Sequence, residues 1–137
     1  MKEGHKKIID VTCALIVNDQ NQLFAVQRSS KMSLPLKWEL PGGKIEANET
    51  AEQCLIREIK EELNIEIKIL KELNSNIHGY PLVTINLIPF ITKQISGEIN
   101  LNEHIDFKWL NSTQLLDLEW AEADVPILYQ YLNQLKL

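Results

Sequence analysis

Residues 41–65 read PGGKIEANETAEQCLIREIKEELNI. The middle of this stretch, Ala51–Leu63, contains neither glycine nor proline. Thr50 and Gln53 have capping-box spacing at its start, and Asn64 stands where a left-handed C-cap residue is wanted. This predicts a helix. On a wheel, Ala51, Cys54, Leu55, Ile56, Ile59 and Leu63 define an apolar sector. Glu58 and Glu62 fall inside that sector and Glu61 at its edge, while Gln53, Arg57 and Lys60 hold the polar side. An ordinary amphipathic helix turns its acids toward water. Carboxylates that share an apolar side repel one another, and burial and repulsion both raise their pKa values. A bound divalent cation removes the conflict. The competing reading is a solvated charge run, and the flanking residues have to separate the two.

Upstream, Pro41-Gly42-Gly43-Lys44 ends a short extended piece over 38–40. The two glycines let the backbone approach a ligand or metal closely, or simply make a tight turn. Further out, residues 8–17 alternate as a strand, with Val11, Cys13, Leu15 and Val17 on one side. Asn18-Asp19-Gln20-Asn21 is a turn and 23–28 a second strand, so a hairpin is expected; 29–37 is a loop. Downstream, 65–73 and 82–91 are expected strands, with shorter ones at 98–101 and 107–110. A helical turn is expected at 112–116, and a closing helix over 125–135 with Pro126 in its first turn. The order β-β-α-β-β-β-α points to an α+β class with a mixed sheet between helices.

The 137 residues suit a single domain, 1–137. With 45% hydrophobic and 24% charged residues, disorder and collagen are excluded, and no apolar run approaches the ~18 residues of a membrane span. Fourteen Lys+Arg against 19 Asp+Glu leave a formal charge of −5. That balance argues against gripping long nucleic acid, but not against a small phosphorylated ligand held through a metal. Cys13 and Cys54, far apart, read as small buried hydrophobes. Lys2, Lys6 and Lys7 precede an apolar stretch as in a leader, but Asp10 interrupts it; a strand and a reducing cytoplasm are expected.

Gly43, five residues, Glu49, seven residues, then Arg57-Glu58-Ile59-Lys60-Glu61-Glu62-Leu63-Asn64-Ile65 resembles the signature of the Nudix hydrolases. The one departure is Asn64, where that family usually has glycine, and it touches no acidic or basic position. The resemblance implies an α/β/α sandwich. It implies Mg2+, or Mn2+ in its place, on Glu58, Glu61 and Glu62 with the backbone carbonyl of Gly42. It also implies an Arg57–Glu49 pair that orients the helix, and a catalytic set of Glu58, Glu61 and Arg57, with Glu58 as general base and Glu103 the second candidate for that role.

The rest of the chain looks most like the MutT-type branch, which acts on nucleoside triphosphates. That likeness places Arg28, Gly43 and Lys44 toward the phosphates, Glu103 near the metals, and Asp124 at the base edge. Each has a plainer alternative: a strand end for Arg28, a solvated lysine for Lys44, a loop acid for Glu103 and a helix N-cap for Asp124; for Trp120 a core position is weighed against a base-stacking platform. The implied reaction is Mg-dependent hydrolysis of a nucleoside triphosphate to the monophosphate and pyrophosphate, on 8-oxo-dGTP or on CTP and dCTP, as in nucleotide-pool sanitation. An ionised Asp124 favours the two donors of a guanine-type edge, whereas cytosine needs a shared proton. Another diphosphate-linked substrate and a catalytically silent nucleotide-binding module are the alternatives. The expected partner is a small nucleotide, without long nucleic acid or membrane, and the expected state a monomer or weak homodimer.

Overall fold

The computed structural model describes residues 7–135; Lys2 and Lys6 of the leader-like start lie outside them. Its first strand, β1 (Ile8–Ile16), is buried on both faces from Thr12 onward. Cys13 and Leu15 enter one core, and Ala14 and Ile16 the other. Strand β2 (Leu23–Gln27) divides the same way, with Leu23 and Ala25 on one side and Phe24 and Val26 on the other. Period-two alternation of apolar residues on both faces requires cover on both faces. Helix α1 (Ala51–Leu63) covers one side through Leu55, Ile59 and Leu63, and helix α2 (Val125–Gln134) the other through Ile127, Leu128 and Tyr131.

The remaining strands are β3 (Trp38–Glu39), β4 (Gly42–Lys44), β5 (Ile65–Glu72), β6 (Asn76–Gly79), β7 (Thr84–Gly97) and β8 (Asp106–Leu110). They form two sheets. The larger has the order β4-β1-β7-β5, with β6 also on β7; β1 runs parallel to β7 and the other pairs are antiparallel. The smaller is β3-β2-β8, all antiparallel. Short 3-10 turns occupy Ser112–Asp117 and Glu122–Asp124. No helix among the described residues is long and apolar enough to cross a membrane.

The expected hairpin of the first two strands does not form. Both edges of β1 are taken by β4 and β7, so β2 carries its pairing into the second sheet. The turn itself is present, held by Gln20 and Gln22 N–H bonds to Asn18 Oδ1, but only the Val17–Leu23 bridge joins the strands. Residues 98–101 are not a strand. They run past the end of α1, where the N–H groups of Asn100 and Asn102 donate to the carbonyls of Leu63 and Glu62. Helix termini leave such carbonyls open, so the segment serves as a cap. Residue 82 is not in a strand either: Leu82 stands 94% exposed in the turn between β6 and β7. Ile56, expected in the apolar sector, is 39% exposed, whereas Glu58 and Glu62 are largely covered.

Helix α1 begins with the expected box: Thr50 Oγ1 accepts from Gln53 N–H at 3.1 Å, and Gln53 Oε1 from Thr50 N–H at 2.9 Å. Asn64 ends it at φ 61°, its N–H on the Lys60 carbonyl. Strand β4 lies so close to β1 that a Cβ on Gly42 would stand 1.9 Å from the Thr12 carbonyl oxygen. Backbone on both sides cannot yield cheaply. Gly42→Ala is therefore expected to destabilise the chain by about 1–3 kcal/mol in denaturant unfolding; an unchanged midpoint would contradict the packing described.

Candidate active site

Distant parts of the chain meet at one cavity of about 710 Å3. Arg28 follows β2, Glu39 lies on β3, and Gly42, Gly43 and Lys44 form β4. Glu62 comes from the last turn of α1, and Glu103 from the loop before β8. Asp124 comes from the 3-10 turn before α2, beside the apolar surfaces of Leu40, Tyr80 and Leu87. A largely apolar pocket of a few hundred Å3 with a small number of polar groups is the usual form of a small-molecule site.

The carboxylates of α1 are arranged around β4. Glu58 lies directly against Gly43: a Cβ there would sit 2.1 Å from Glu58 Oε2. The missing side chain leaves room for the acid. Burial, then Glu61, Glu103 and Glu46, raise the Glu58 pKa, opposed by Arg57. Glu62 is buried further. Its Oε2 has no hydrogen-bond partner among the described residues, and burial, then Glu58 and Glu39, push its pKa up to about 8. Glu61 is different: 58% exposed, it takes a bond from Arg57 at 3.3 Å at the solvent edge.

Arg57 faces the loop rather than the cavity. Its Nη2 is 2.7 Å from Glu49 Oε1 and 3.2 Å from the Lys44 carbonyl, and its Nε is 3.1 Å from Glu49 Oε2. The guanidinium holds the Glu49 carboxyl well down, at about 2. This fork pins α1 to the 44–49 loop. Beneath it, the Cys54 thiol lies 3.3 Å from the Lys44 carbonyl and 3.4 Å from Thr12 Oγ1. Both cysteines are free and buried, as expected.

Among the described residues, no three acidic, histidine or cysteine side chains stand close enough to enclose a metal ion on their own. Mg2+ does not ask for that; it is usually held by one or two carboxylates, with waters and substrate phosphates completing the shell. An orphaned buried carboxylate oxygen, acids raised by crowding and an all-oxygen donor set fit such an ion.

Asp124 is buried, and its Oδ2 accepts the Leu40 N–H at 2.8 Å. It makes no side-chain cap on α2. Burial and the nearby Glu39 push its pKa to about 8, against the lowering effect of Leu40 and Arg28. Trp120 is a core residue, its indole N–H on the Leu115 carbonyl. Lys44 is exposed at the cavity rim. Arg28 is anchored by Ser33 Oγ on Nη2 and Glu39 on Nη1.

Two site residues were missed by reading the sequence. Glu39 accepts from Arg28 Nη1 at 2.9 and 3.1 Å and from His104 Nε2 at 2.8 Å. Its signal was local: an acid between two apolar residues, Trp38 and Leu40, on an extended piece directly before the glycines. His104 carried no signal beyond following Glu103.

The raised acids set a stability profile. A carboxyl whose pKa rises on folding binds its proton more tightly folded than unfolded. Its contribution is complete below the unfolded value and is lost as pH rises through the folded one. For Glu62 the window runs from 4.5 to about 8. Without divalent metal, Tm should fall across this window, and Glu62→Gln should show a smaller fall, Asp124 supplying part of the rest. Mg2+ should raise Tm more near the top of the window, because ligands must be deprotonated. Parallel profiles for the two proteins in calorimetry would refute this account of Glu62.

The NUDIX domain family model matches residues 6–131. An 8-oxo-dGTP diphosphatase of Proteus vulgaris is 35% identical over 94 residues, 69% of this chain and 84% of that protein. A CTP pyrophosphohydrolase of Escherichia coli (strain K12) is 31% identical over 126 residues, 92% of this chain and 93% of its own length. The solution structure of the DNA mismatch repair protein MutT from methicillin-resistant Staphylococcus aureus 252 superposes with a TM-score of 0.76 at 38% identity, covering 95% of this chain and 99% of that one. The glycines and Glu62 of the motif line the cavity, and the Arg57–Glu49 fork pins the helix that carries its acids; with the family match over residues 6–131, the chain belongs to the Nudix hydrolase family.

Proposed function

We propose that this Nudix hydrolase converts a nucleoside or deoxynucleoside triphosphate to the monophosphate and pyrophosphate with Mg2+, or Mn2+ in its place. The substrates would be 8-oxo-dGTP or CTP and dCTP. One observation carries the reading: a single cavity is lined by Arg28, Lys44, Glu62 and Glu103 and, on its apolar wall, by the buried Asp124. A phosphate chain needs the first group, and a planar base with a polar edge needs the second.

Glu58 and Glu62 would hold the metal, with Glu103 and the Gly42 carbonyl as further oxygen donors facing it through water or substrate, and Glu61 stands at the edge of that set. When bound, the ion neutralises phosphate oxygens and makes a water more acidic. A guanidinium has five N–H donors, so Arg28 keeps donor capacity on Nη2 for a phosphate oxygen. Lys44 supplies a second positive charge at the rim. Glu58, uncovered by the missing side chain of Gly43, takes the proton of the attacking water. The water oxygen forms its bond to phosphorus as the bridging P–O bond breaks, and pyrophosphate leaves with the bridging oxygen.

The Asp124 proton bears on the base. Below its pKa of about 8 the group is a neutral acid, one donor and one acceptor. That pair matches the N3 acceptor and N4 amine of cytosine. Once ionised it offers acceptors only, which match the adjacent N1–H and N2 amine of 8-oxoguanine.

Two outcomes test this reading. Glu58→Gln and Glu62→Gln should each lower kcat for pyrophosphate release by at least about 100-fold while circular dichroism stays unchanged; near wild-type kcat in both would defeat the assignment. The kcat/KM ratio of dCTP to 8-oxo-dGTP should fall as pH rises through about 8 in the wild type. It should stay flat in Asp124→Asn, whose amide is donor and acceptor at every pH; equal slopes in the two proteins would remove Asp124 from base recognition.

A further inference from the structure

His104 has no part in the chemistry described, yet its side chain is only 2% exposed. Glu103, Ile105 and Asp106 around it are open to water. Among the described residues the ring has one bond, to Glu39 Oε2 at 2.8 Å, and its buried Nδ1 has no partner. A carboxylate only accepts, so Nε2 is the donor. An apolar ring would fill the same space without an unpaired nitrogen, so packing alone does not call for histidine. What the histidine adds is the bond to Glu39.

That bond ties the loop of Glu103 to Glu39, and both acids line the cavity. Glu39 also takes both bonds from Arg28 Nη1. The loop carrying Glu103 is held on its near side by the Asn102 N–H on the Glu62 carbonyl, at 3.1 Å. On its far side the Ile105 N–H bonds the Gln27 carbonyl, also at 3.1 Å. Glu103 is the exposed residue between these anchors, and His104 is the one side chain next to it that reaches inward.

We propose that His104 is a positioning residue, whose bond to Glu39 sets Glu103 and Arg28 in one frame so that the metal-facing acid and the phosphate-facing guanidinium keep a fixed spacing. The inference rests on the triphosphate reading above for the roles of those two groups. It goes beyond that reading in assigning Glu39 and His104 to a shared anchor.

The test compares His104→Phe, which fills the space without a donor, with His104→Gln, whose amide can donate to Glu39. Mn2+ binding to the nucleotide-free full chain is followed by electron paramagnetic resonance, and kcat and KM are measured with whichever of CTP, dCTP and 8-oxo-dGTP the wild type hydrolyses fastest. Loss of a supporting hydrogen bond of this kind is expected to weaken Mn2+ binding roughly 10-fold in His104→Phe and to lower kcat by a similar factor. His104→Gln should stay within about 3-fold of wild type in both. Wild-type Mn2+ affinity and kcat in His104→Phe would overturn the proposal, as would equal losses in both variants when both melt like the wild type. Should His104→Phe not fold, Glu39→Gln takes its place: it keeps one accepting oxygen for two donors, and unweakened Mn2+ binding there overturns the proposal. If the Mn2+ difference appears but no triphosphate is hydrolysed, the anchor stands and the reaction proposed above falls. A wild type that binds no Mn2+ overturns both.

Discussion

The site depends on pressing negative charge against backbone. Glu58 fills the space that a side chain at Gly43 would take, and Glu62 is buried with one oxygen unpaired. Neither arrangement favours the folded chain by itself, since burial and like-charge proximity both penalise ionisation. It is tolerated because neighbouring contacts over-determine it. The Arg57–Glu49 fork, the Arg57 bond to the Lys44 carbonyl and the apolar residues Leu55, Ile59 and Leu63 fix α1 against β4 whatever the acids prefer. The charge left over is what a cation and a phosphate chain can use. In this sense the site is a local instability held in place by a stable frame.

The frame follows from strands that are apolar on both faces. Residues 12–16 and 23–26 are fully buried, so each strand needs a helix above and below. Splitting them between two sheets satisfies this, and both sheets then border the cavity: Glu39 of the smaller with Arg28 just past its β2, and Val11, Thr12, Ile85 and Leu87 of the larger. The anchors of the site join segments far apart in the chain. Leu40 N–H meets Asp124, and Glu39 joins Arg28 to His104, so groups far apart in the chain share one electrostatic neighbourhood. This is why Glu39 raises the pKa of both Glu62 and Asp124.

Helix α1 was the most legible element. Its capping box, its left-handed Asn64 and the inward Glu58 and Glu62 all follow from contacts within one or two turns, which neighbouring residues control. The motif residues around it were readable by resemblance, and the Arg57–Glu49 pair is where that resemblance placed it. Pairing was the least legible. The turn at Asn18–Asn21 is a sound local signal, yet a hairpin also needs a free strand edge, and β7, some seventy residues away, occupies it. Ile56 shows the same limit on a helix: it lies within the apolar sector of the wheel but beyond what the sheet covers.

The order of residues alone therefore determined the helix, its caps and the acids placed on its apolar side, because each rests on spacing along the chain. Only the tertiary structure decided which strands pair, that 98–101 caps α1 instead of forming a strand, and that Glu39 and His104 belong to the site. Those outcomes come from contacts between distant segments, where geometric fit and competition for edges and hydrogen-bond partners, rather than local preference, set the lowest free energy.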